Sequence, residues 1–234
     1  MGEYSTRGLH ALFGEVNVQS GYFDFDGTLA GTKRDIIEGL QKILSEAGCV
    51  VDDDFIAKRT GIGARLLIKE ALEENKIPYN DDLIEKIIER LLRTRMNSLK
   101  RIRLFDGTVE LLDSLYEWIR IALATMSLRK SLYGILKEKK LAKYFEVVID
   151  ADDGIKPKPA PETFLKCATK MGLDSKNCVL VGDSVAGIKA AKAAGMKYMA
   201  VASGFYIADE LIKEDPDLLV DSVNDKETIL SVLL

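Results

Sequence analysis

The chain predicts an α/β fold: a Rossmann-like, doubly wound parallel sheet core with an inserted helical cap domain. Three observations carry this. Past residue 103, short apolar runs of strand length alternate with segments of helical period, the pattern of a parallel sheet covered on both faces. Between the first strand and that region, residues 34–103 read as helix. The polar residues able to do chemistry fall at the carboxyl ends of strands, where such sheets gather their binding groups.

The elements follow in order. Residues 22–29, YFDFDGTL, read as the end of a strand breaking into a glycine-containing loop. The preceding NVQSG is polar for a buried strand and leaves the start of that strand open. IIEGLQKILSEAG (36–48) has apolar residues at helical spacing and ends on Gly48. Asp52–Asp54 can cap a helix that runs through FIAKRTGIG into ARLLIKEALEENK. After Pro78, DDLIEKIIERLLRTRMNSL opens with acids, as a helix N-terminus favours. VELLDSLYEW, KSLYGILKEKK, PETFLKCATKMG, GIKAAKAAG, YIADELIK and KETILSVLL read as helices; IRIALAT, YFEVVID, CVLVGD, MKYMAVA and LLVDSV alternate with them as strands. The small residues of GIKAAKAAG suit close helix–sheet packing. The division is 1–33 with 104–234 for the core, residues 1–20 being a candidate tail, and 34–103 for the cap.

Composition excludes several classes. The 234 residues, 47% hydrophobic, can fill such a core. Lys plus Arg number 33 against 37 Asp plus Glu, a net charge of −4 that argues against a nucleic-acid partner. No apolar run reaches the roughly 18–20 residues that span a bilayer, and the first 21 residues lack the layout of a signal peptide. Cys49, Cys167 and Cys178 form no disulfide framework, which suits a cytoplasmic protein. The lone histidine, His10, excludes His-cluster metal sites and Ser-His-Asp chemistry outside the N-terminal tail. The expected assembly is a monomer or homodimer without a membrane partner.

Asp24 and Asp26 end the first strand, Thr125 the second and Asp183 the fourth; Lys158 lies in the loop after the third. Together they make a phosphate site. Three carboxylates can hold a hard cation such as Mg²⁺. A lysine, a hydroxyl and loop N–H groups can neutralise phosphate oxygens. Two carboxylates two residues apart can divide the labour, one as nucleophile and one as general acid/base. Asp183 can also be read as the N-cap of the helix that follows it.

DFDGTL, ALAT, KPAPETF and VGDSVAGIKAAKAAGM, in that order, resemble the four motifs of the haloacid dehalogenase-like phosphohydrolases, over roughly residues 22–205. The insert after the first motif resembles the helical-cap branch, which holds phosphoglycolate phosphatases, sugar-phosphate phosphatases and β-phosphoglucomutases. The resemblance implies Asp24 as the nucleophile that forms an aspartyl-phosphate, and Asp26 as the acid that protonates the leaving oxygen and then activates water. It implies a hydrogen bond from Thr125 to the phosphoryl group, and Lys158 paired with Asp24 and the phosphate; Lys156 lies outside the motif. Mg²⁺ would be held by Asp24, Asp26 through its backbone carbonyl, and Asp183. Gly27, Thr28 and the N–H of Met126 would contact phosphate. Many relatives carry a second acid just before the last Asp or four residues after it; here those positions are Gly182 and Gly187. On that pattern an aspartate at 187 would tighten the metal site, and Asp152 and Asp153 are candidates to compensate.

TGIGARLL (60–67) resembles the cap loop that reads the leaving group in phosphoglycolate phosphatases. Gly61 and Gly63 would allow close approach to a ligand, and Arg65 could fork onto a carboxylate or phosphate. Arg90 to Phe105 holds six basic residues and no acid; this face could draw anionic substrates toward the cleft, but it is read first as a solvated helix face. The expected function is a Mg²⁺-dependent phosphatase of a small phosphorylated metabolite, such as phosphoglycolate or a sugar phosphate. A β-phosphoglucomutase-like phosphomutase is the alternative, with a catalytically weak phosphate-binding module behind it. A haloacid dehalogenase is disfavoured, because that branch needs neither Mg²⁺ nor the second aspartate.

Overall fold

The computed structural model describes residues 17–234; His10 and most of the candidate tail lie outside them. Six strands form one parallel sheet: β1 (Ser20–Phe23), β2 (Arg120–Ala124), β3 (Val147–Ile149), β4 (Cys178–Gly182), β5 (Lys197–Val201) and β6 (Leu218–Val220). Their order across the sheet is β3-β2-β1-β4-β5-β6. The chain therefore winds outward from β1 in one direction, returns, and winds outward from β4 in the other. The crevice between the carboxyl ends of β1 and β4 is the topological switch point where such sheets bind ligands.

The strands read as unbroken apolar runs because both faces are covered. Successive side chains point to opposite faces, so Tyr22, Leu180 and Ala124 join one buried cluster while Phe23, Val181 and Leu123 join the other. Helices α7 (Glu162–Met171), α8 (Val185–Ala194) and α9 (Ala208–Ile212) supply the first face. Helices α5 (Thr108–Tyr116), α6 (Arg129–Glu138) and α10 (Lys226–Leu233) supply the second. In α8 the buried alanines Ala190, Ala191 and Ala194 bring the helix close to the sheet.

β1 begins at Ser20, inside what the sequence left as a tail. The polar start is affordable because the Ser20 hydroxyl donates to the Arg120 carbonyl at 2.7 Å, leaving no unmet polar group. Gln19 also joins the core, its N–H donating to the Asn177 carbonyl at 2.9 Å.

Between β1 and α5 lie α1 (Lys33–Glu46), α2 (Asp53–Arg59), α3 (Ala64–Glu74) and α4 (Asp81–Ser98). Asp52 caps α2 by accepting from the Phe55 N–H, and Asn80 caps α4 by accepting from the Leu83 N–H. The buried side of α4 carries Ile84, Ile87, Ile88, Leu91, Arg95 and Ser98. This is a helical stripe with one arginine in it. The apolar faces of these helices join the buried cluster that contains Tyr22 and Leu180, while α4 also packs on α6, so the insert sits over the carboxyl ends of the strands, where its residues share a cavity with Asp24 and Asp183.

Candidate active site

Asp24 follows β1, and its N–H donates to the Val181 carbonyl of β4 at 2.9 Å, which fixes it at the switch point. Its Oδ1 accepts from the Phe25 N–H at 2.8 Å and its Oδ2 from Lys158 Nζ at 2.6 Å. Lys158 is fully buried and also donates to the Ala124 carbonyl at 3.2 Å. A buried ammonium is tolerated only with such partners. Lys156 is exposed and lies 3.5 Å from Glu162, away from the crevice.

Asp183 follows β4 and is 2% exposed. Its Oδ1 accepts from the Thr28 hydroxyl at 3.2 Å and its Oδ2 from the Phe205 N–H at 2.8 Å. Glycine makes room for it on two sides: a Cβ at Gly27 would fall 2.2 Å from Asp183 Oδ2, and one at Gly204 would fall 1.9 Å from it. Gly27 also holds φ at +81°, a region L side chains rarely adopt. Burial, with the charge of Asp24 beside it, pushes the Asp183 carboxyl up to about 7. The cap of α8 is Ser184, whose Oγ accepts from the Gly187 N–H at 3.0 Å. The reading of Asp183 as that cap is thereby corrected, and its carboxylate faces the crevice instead.

Asp26 departs from the expected cluster of three carboxylates. Its side chain turns toward the insert, where Oδ1 accepts from Arg95 Nη2 at 2.9 Å and Oδ2 accepts from the Ser127 hydroxyl. Burial alone would raise this carboxyl; the Arg95 guanidinium and the Ser127 hydroxyl override it and hold it below the usual range. Only Asp24 and Asp183 are left to present carboxylates to each other. Among the described residues no group of three or more acidic, His or Cys side chains forms a metal cage.

Thr125 is buried at the end of β2, and its Oγ1 accepts from the Ser127 N–H at 3.2 Å. Thr125, Met126 and Ser127 line one cavity with Asp24, Asp26 and Asp183. The 60–63 turn closes on it: a Cβ at Gly61 would lie 3.1 Å from Ser184, and one at Gly63 would lie 3.1 Å from Met126. Lys58 pairs with Glu210, and Tyr206 donates to the Lys58 carbonyl at 2.7 Å, holding α2 against the core.

Arg65 is not in this cavity. It is half-exposed and paired with Glu85 on α4. At the start of α3 it is drawn to the acidic face of the neighbouring helix, so the expectation that it reads the leaving group is corrected. The arginine that does line the cavity is Arg95, 8% exposed. Of its basic neighbours, Arg90 pairs with Glu46 and Arg93 lies 3.7 Å from Glu89 on the surface. The signal for Arg95 was its place on the apolar stripe of α4, in register with Leu91 and Ile88. Ser127 and Phe205 were also missed; each acts from a loop position with no periodicity to mark it.

Asp152 and Asp153 do not compensate for Gly182 and Gly187. Asp153 accepts from the Asp150 N–H at 3.0 Å and Asp152 from the Arg129 N–H at 3.1 Å, both within the loop after β3. What occupies the space of the absent acid is Tyr198, 1% exposed. A Cβ at Gly182 would meet its hydroxyl at 2.4 Å, and one at Gly187 would meet it at 2.7 Å. The expectation that an aspartate at 187 tightens the metal site is corrected accordingly. Gly187→Asp is expected to destabilise the fold by about 1–3 kcal/mol through overpacking. Adding Tyr198→Phe, which removes the colliding oxygen, should recover part of the loss in thermal denaturation.

A parallel sheet with paired carboxylates, a buried lysine and a hydroxyl at its switch point defines a Rossmann-like α/β core built to handle an anionic group. The model of the haloacid dehalogenase-like hydrolases matches residues 22–201, and the chain belongs to that family; it is an enzyme. The phosphoglycolate phosphatase of Agrobacterium fabrum is 30% identical over 204 residues, 85% of this chain and 86% of that protein. That of Salmonella typhimurium is 28% identical, over 89% of this chain and 91% of that protein. A hydrolase from Pseudomonas syringae superposes with a TM-score of 0.82 at 24% identity, covering 91% of this chain and 97% of that one. The β-phosphoglucomutase of Clostridium difficile does so with 0.81 at 24%, covering 92% and 97%. At these identities the two structures speak for the fold alone. No described helix is long and apolar enough to cross a membrane.

Proposed function

We propose that this enzyme is a Mg²⁺-dependent phosphatase of small acidic metabolites that works through an aspartyl-phosphate. The observation that carries the reading is the Asp24–Lys158 pair, buried beside Asp183 in the switch-point crevice. Asp24 Oδ1 or Oδ2 attacks phosphorus, and the bond from phosphorus to the ester oxygen breaks. Lys158 and Thr125 hold the phosphoryl oxygens as charge moves onto them. Once Arg95 releases its hold, Asp26 takes a proton from solvent water or from the incoming phosphate monoester and delivers it to the leaving oxygen. With Arg95 on it, Asp26 is ionised and suited to the second step, taking a proton from the water that cleaves the acyl phosphate. The helical insert acts as a cap that keeps bulk water out of these steps.

The residues fit Mg²⁺. This ion typically takes one or two carboxylates and fills its remaining positions with water and substrate phosphate. Asp24 and Asp183, with the Asp26 carbonyl, offer an oxygen-only set of that size; burial and then the charge of Asp24 push the Asp183 carboxyl up, and a divalent cation would relieve the second of these. When bound, Mg²⁺ supplies charge neutralisation at the phosphoryl oxygens.

A mutase has to hold a second phosphate or several sugar hydroxyls against the cap. The insert's wall of this cavity carries Arg95 as its one charged side chain among the described residues, which favours the phosphatase. A screen of phosphorylated metabolites with and without Mg²⁺ tests this. Release of phosphate from small carboxylate-bearing esters is expected; full activity in excess EDTA, or none toward any ester including p-nitrophenyl phosphate, would overturn it.

A test without turnover follows from Asp183. Its folded carboxyl, near 7, lies above its ordinary value of 3.8. The folded state therefore binds the extra proton between those values, and this group's contribution to stability falls as pH rises from about 4 to 7. Mg²⁺ offsets the loss only where the group is ionised. The rise in thermal midpoint on adding Mg²⁺ should be larger at pH 8 than at pH 5.5; equal shifts would argue against Asp183 as a ligand.

A further inference from the structure

Given the phosphatase reading above, we propose that the leaving group is a 2-hydroxy acid with a hydrocarbon substituent, its carboxylate held by Arg95 and its hydrocarbon part lying on the insert. Three observations meet in this cavity. Arg95 spends Nη2 on Asp26, while its buried Nε–H has no acceptor among the described residues. A buried guanidinium donor without an acceptor is rare in native structures. Arg95 lines the same cavity as Asp26, and a ligand carboxylate there would give its guanidinium an acceptor in the forked geometry arginine favours.

The rest of that wall is hydrocarbon. Ile36, Leu40, Ala64, Leu67 and Leu91 line it. Its one hydroxyl, on Thr60, is already donated to the Ile56 carbonyl at 2.9 Å. Sugar hydroxyls placed here would lose water and find on the insert, besides Arg95, only the Thr60 oxygen as a side-chain partner. A single methylene, as in glycolate, would leave most of these side chains uncovered. A branched hydrocarbon portion would cover them.

The third observation sets the spacing. Arg95 lies directly on the Asp26 carboxylate, at 2.9 Å, and Asp26 serves the ester oxygen. An anion that reaches the guanidinium while the ester oxygen reaches Asp26 must sit within a bond or two of that oxygen. A carboxylate on the carbon that bears the ester oxygen meets this; one at the far end of a chain does not. The same substrate would draw Arg95 off Asp26 as it binds, so that recognition of the leaving group and release of the acid are one event.

Phosphonates test the assignment without catalysis. In 3-phosphonopropionate a methylene replaces the ester oxygen of phosphoglycolate; its 2-methyl derivative adds the branch. Propylphosphonate and isobutylphosphonate are the matched neutral compounds. Calorimetry with Mg²⁺ present should show each carboxylate binding about ten- to a hundredfold tighter than its neutral match. The added methyl should tighten binding by about fourfold. Arg95→Ala should shrink the carboxylate preference to within about threefold of unity, and Arg95→Lys should keep part of it. Equal binding of acid and neutral compounds by the wild type, an unchanged preference in Arg95→Ala, or weaker binding on adding the methyl would each overturn the proposal. The wild-type comparison decides the matter even if Arg95→Ala fails to fold. Absence of phosphatase turnover, by contrast, would overturn the proposed function and leave these affinities to be judged on their own.

Discussion

Asp24→Asn is expected to lower kcat by about a thousandfold or more while the protein keeps its fold. A carboxamide is a very poor nucleophile, and losing the atom that forms the covalent intermediate removes the whole route rather than one favourable contact. The fold should survive because the substitution is nearly isosteric. The amide oxygen can still accept from Lys158 or from the Phe25 N–H, the two donors that Asp24 satisfies. Lys158 loses its nearest counter-charge, which destabilises. Asp183 loses the like charge that, after burial, pushes its carboxyl up, which stabilises. The two changes oppose each other, so a thermal midpoint within a few degrees of wild type is expected. Phosphate release from p-nitrophenyl phosphate, followed alongside circular dichroism, checks both halves. Turnover within tenfold of wild type at an unchanged spectrum would remove Asp24 from the mechanism.

The residues at strand ends were legible because a parallel sheet fixes where its loops converge; sequence order and strand period suffice to place Asp24, Thr125 and Asp183 at one edge. The same logic fails for side-chain direction beyond the strand. Asp26 lies two residues after Asp24, yet its carboxylate is captured by a helix 69 residues further on. Arg65 beside the glycine turn looked like a ligand contact, but proximity in sequence says nothing about which face of α3 it takes, and Glu85 on α4 wins it. Arg95 was hidden by its basic neighbours. Six basic residues in a row of sixteen look like a solvated face until the α4 stripe from Ile84 to Ser98 is followed, and then one of them falls inside. Gly182 and Gly187 read as a missing acid; only the packing shows that the Tyr198 ring, arriving from β5, has taken the room. The start of β1 was obscured because its first residue meets its polar needs with a side-chain bond that no pattern encodes.

Lys158→Met is expected to be the most destabilising single change in the site, and the loss should depend on pH in a defined direction. The methionine fills nearly the same volume, so little cavity is created. What goes is the positive charge 2.6 Å from Asp24 Oδ2, leaving two buried carboxylates facing each other. Breaking a buried pair from one side costs about 3–5 kcal/mol. Part of that cost disappears when Asp183 is protonated. Removing a nearby cation raises the folded pKa of Asp183 further above its unfolded one, so the folded state takes up a proton that the unfolded state does not. Its stability then falls as pH rises through the window between the two. The deficit relative to wild type should therefore be small near pH 5 and widest above pH 7. Mg²⁺, which brings positive charge to the same carboxylates, should narrow it at pH 8 and hardly change it at pH 5. Activity should fall by about a hundredfold or more even at saturating Mg²⁺, because a metal at the carboxylates does not replace the ammonium at the phosphoryl oxygens. Thermal denaturation across pH 5–8, with and without Mg²⁺, separates this account from simple loss of packing. A packing defect would give a deficit of the same size at every pH, indifferent to the metal.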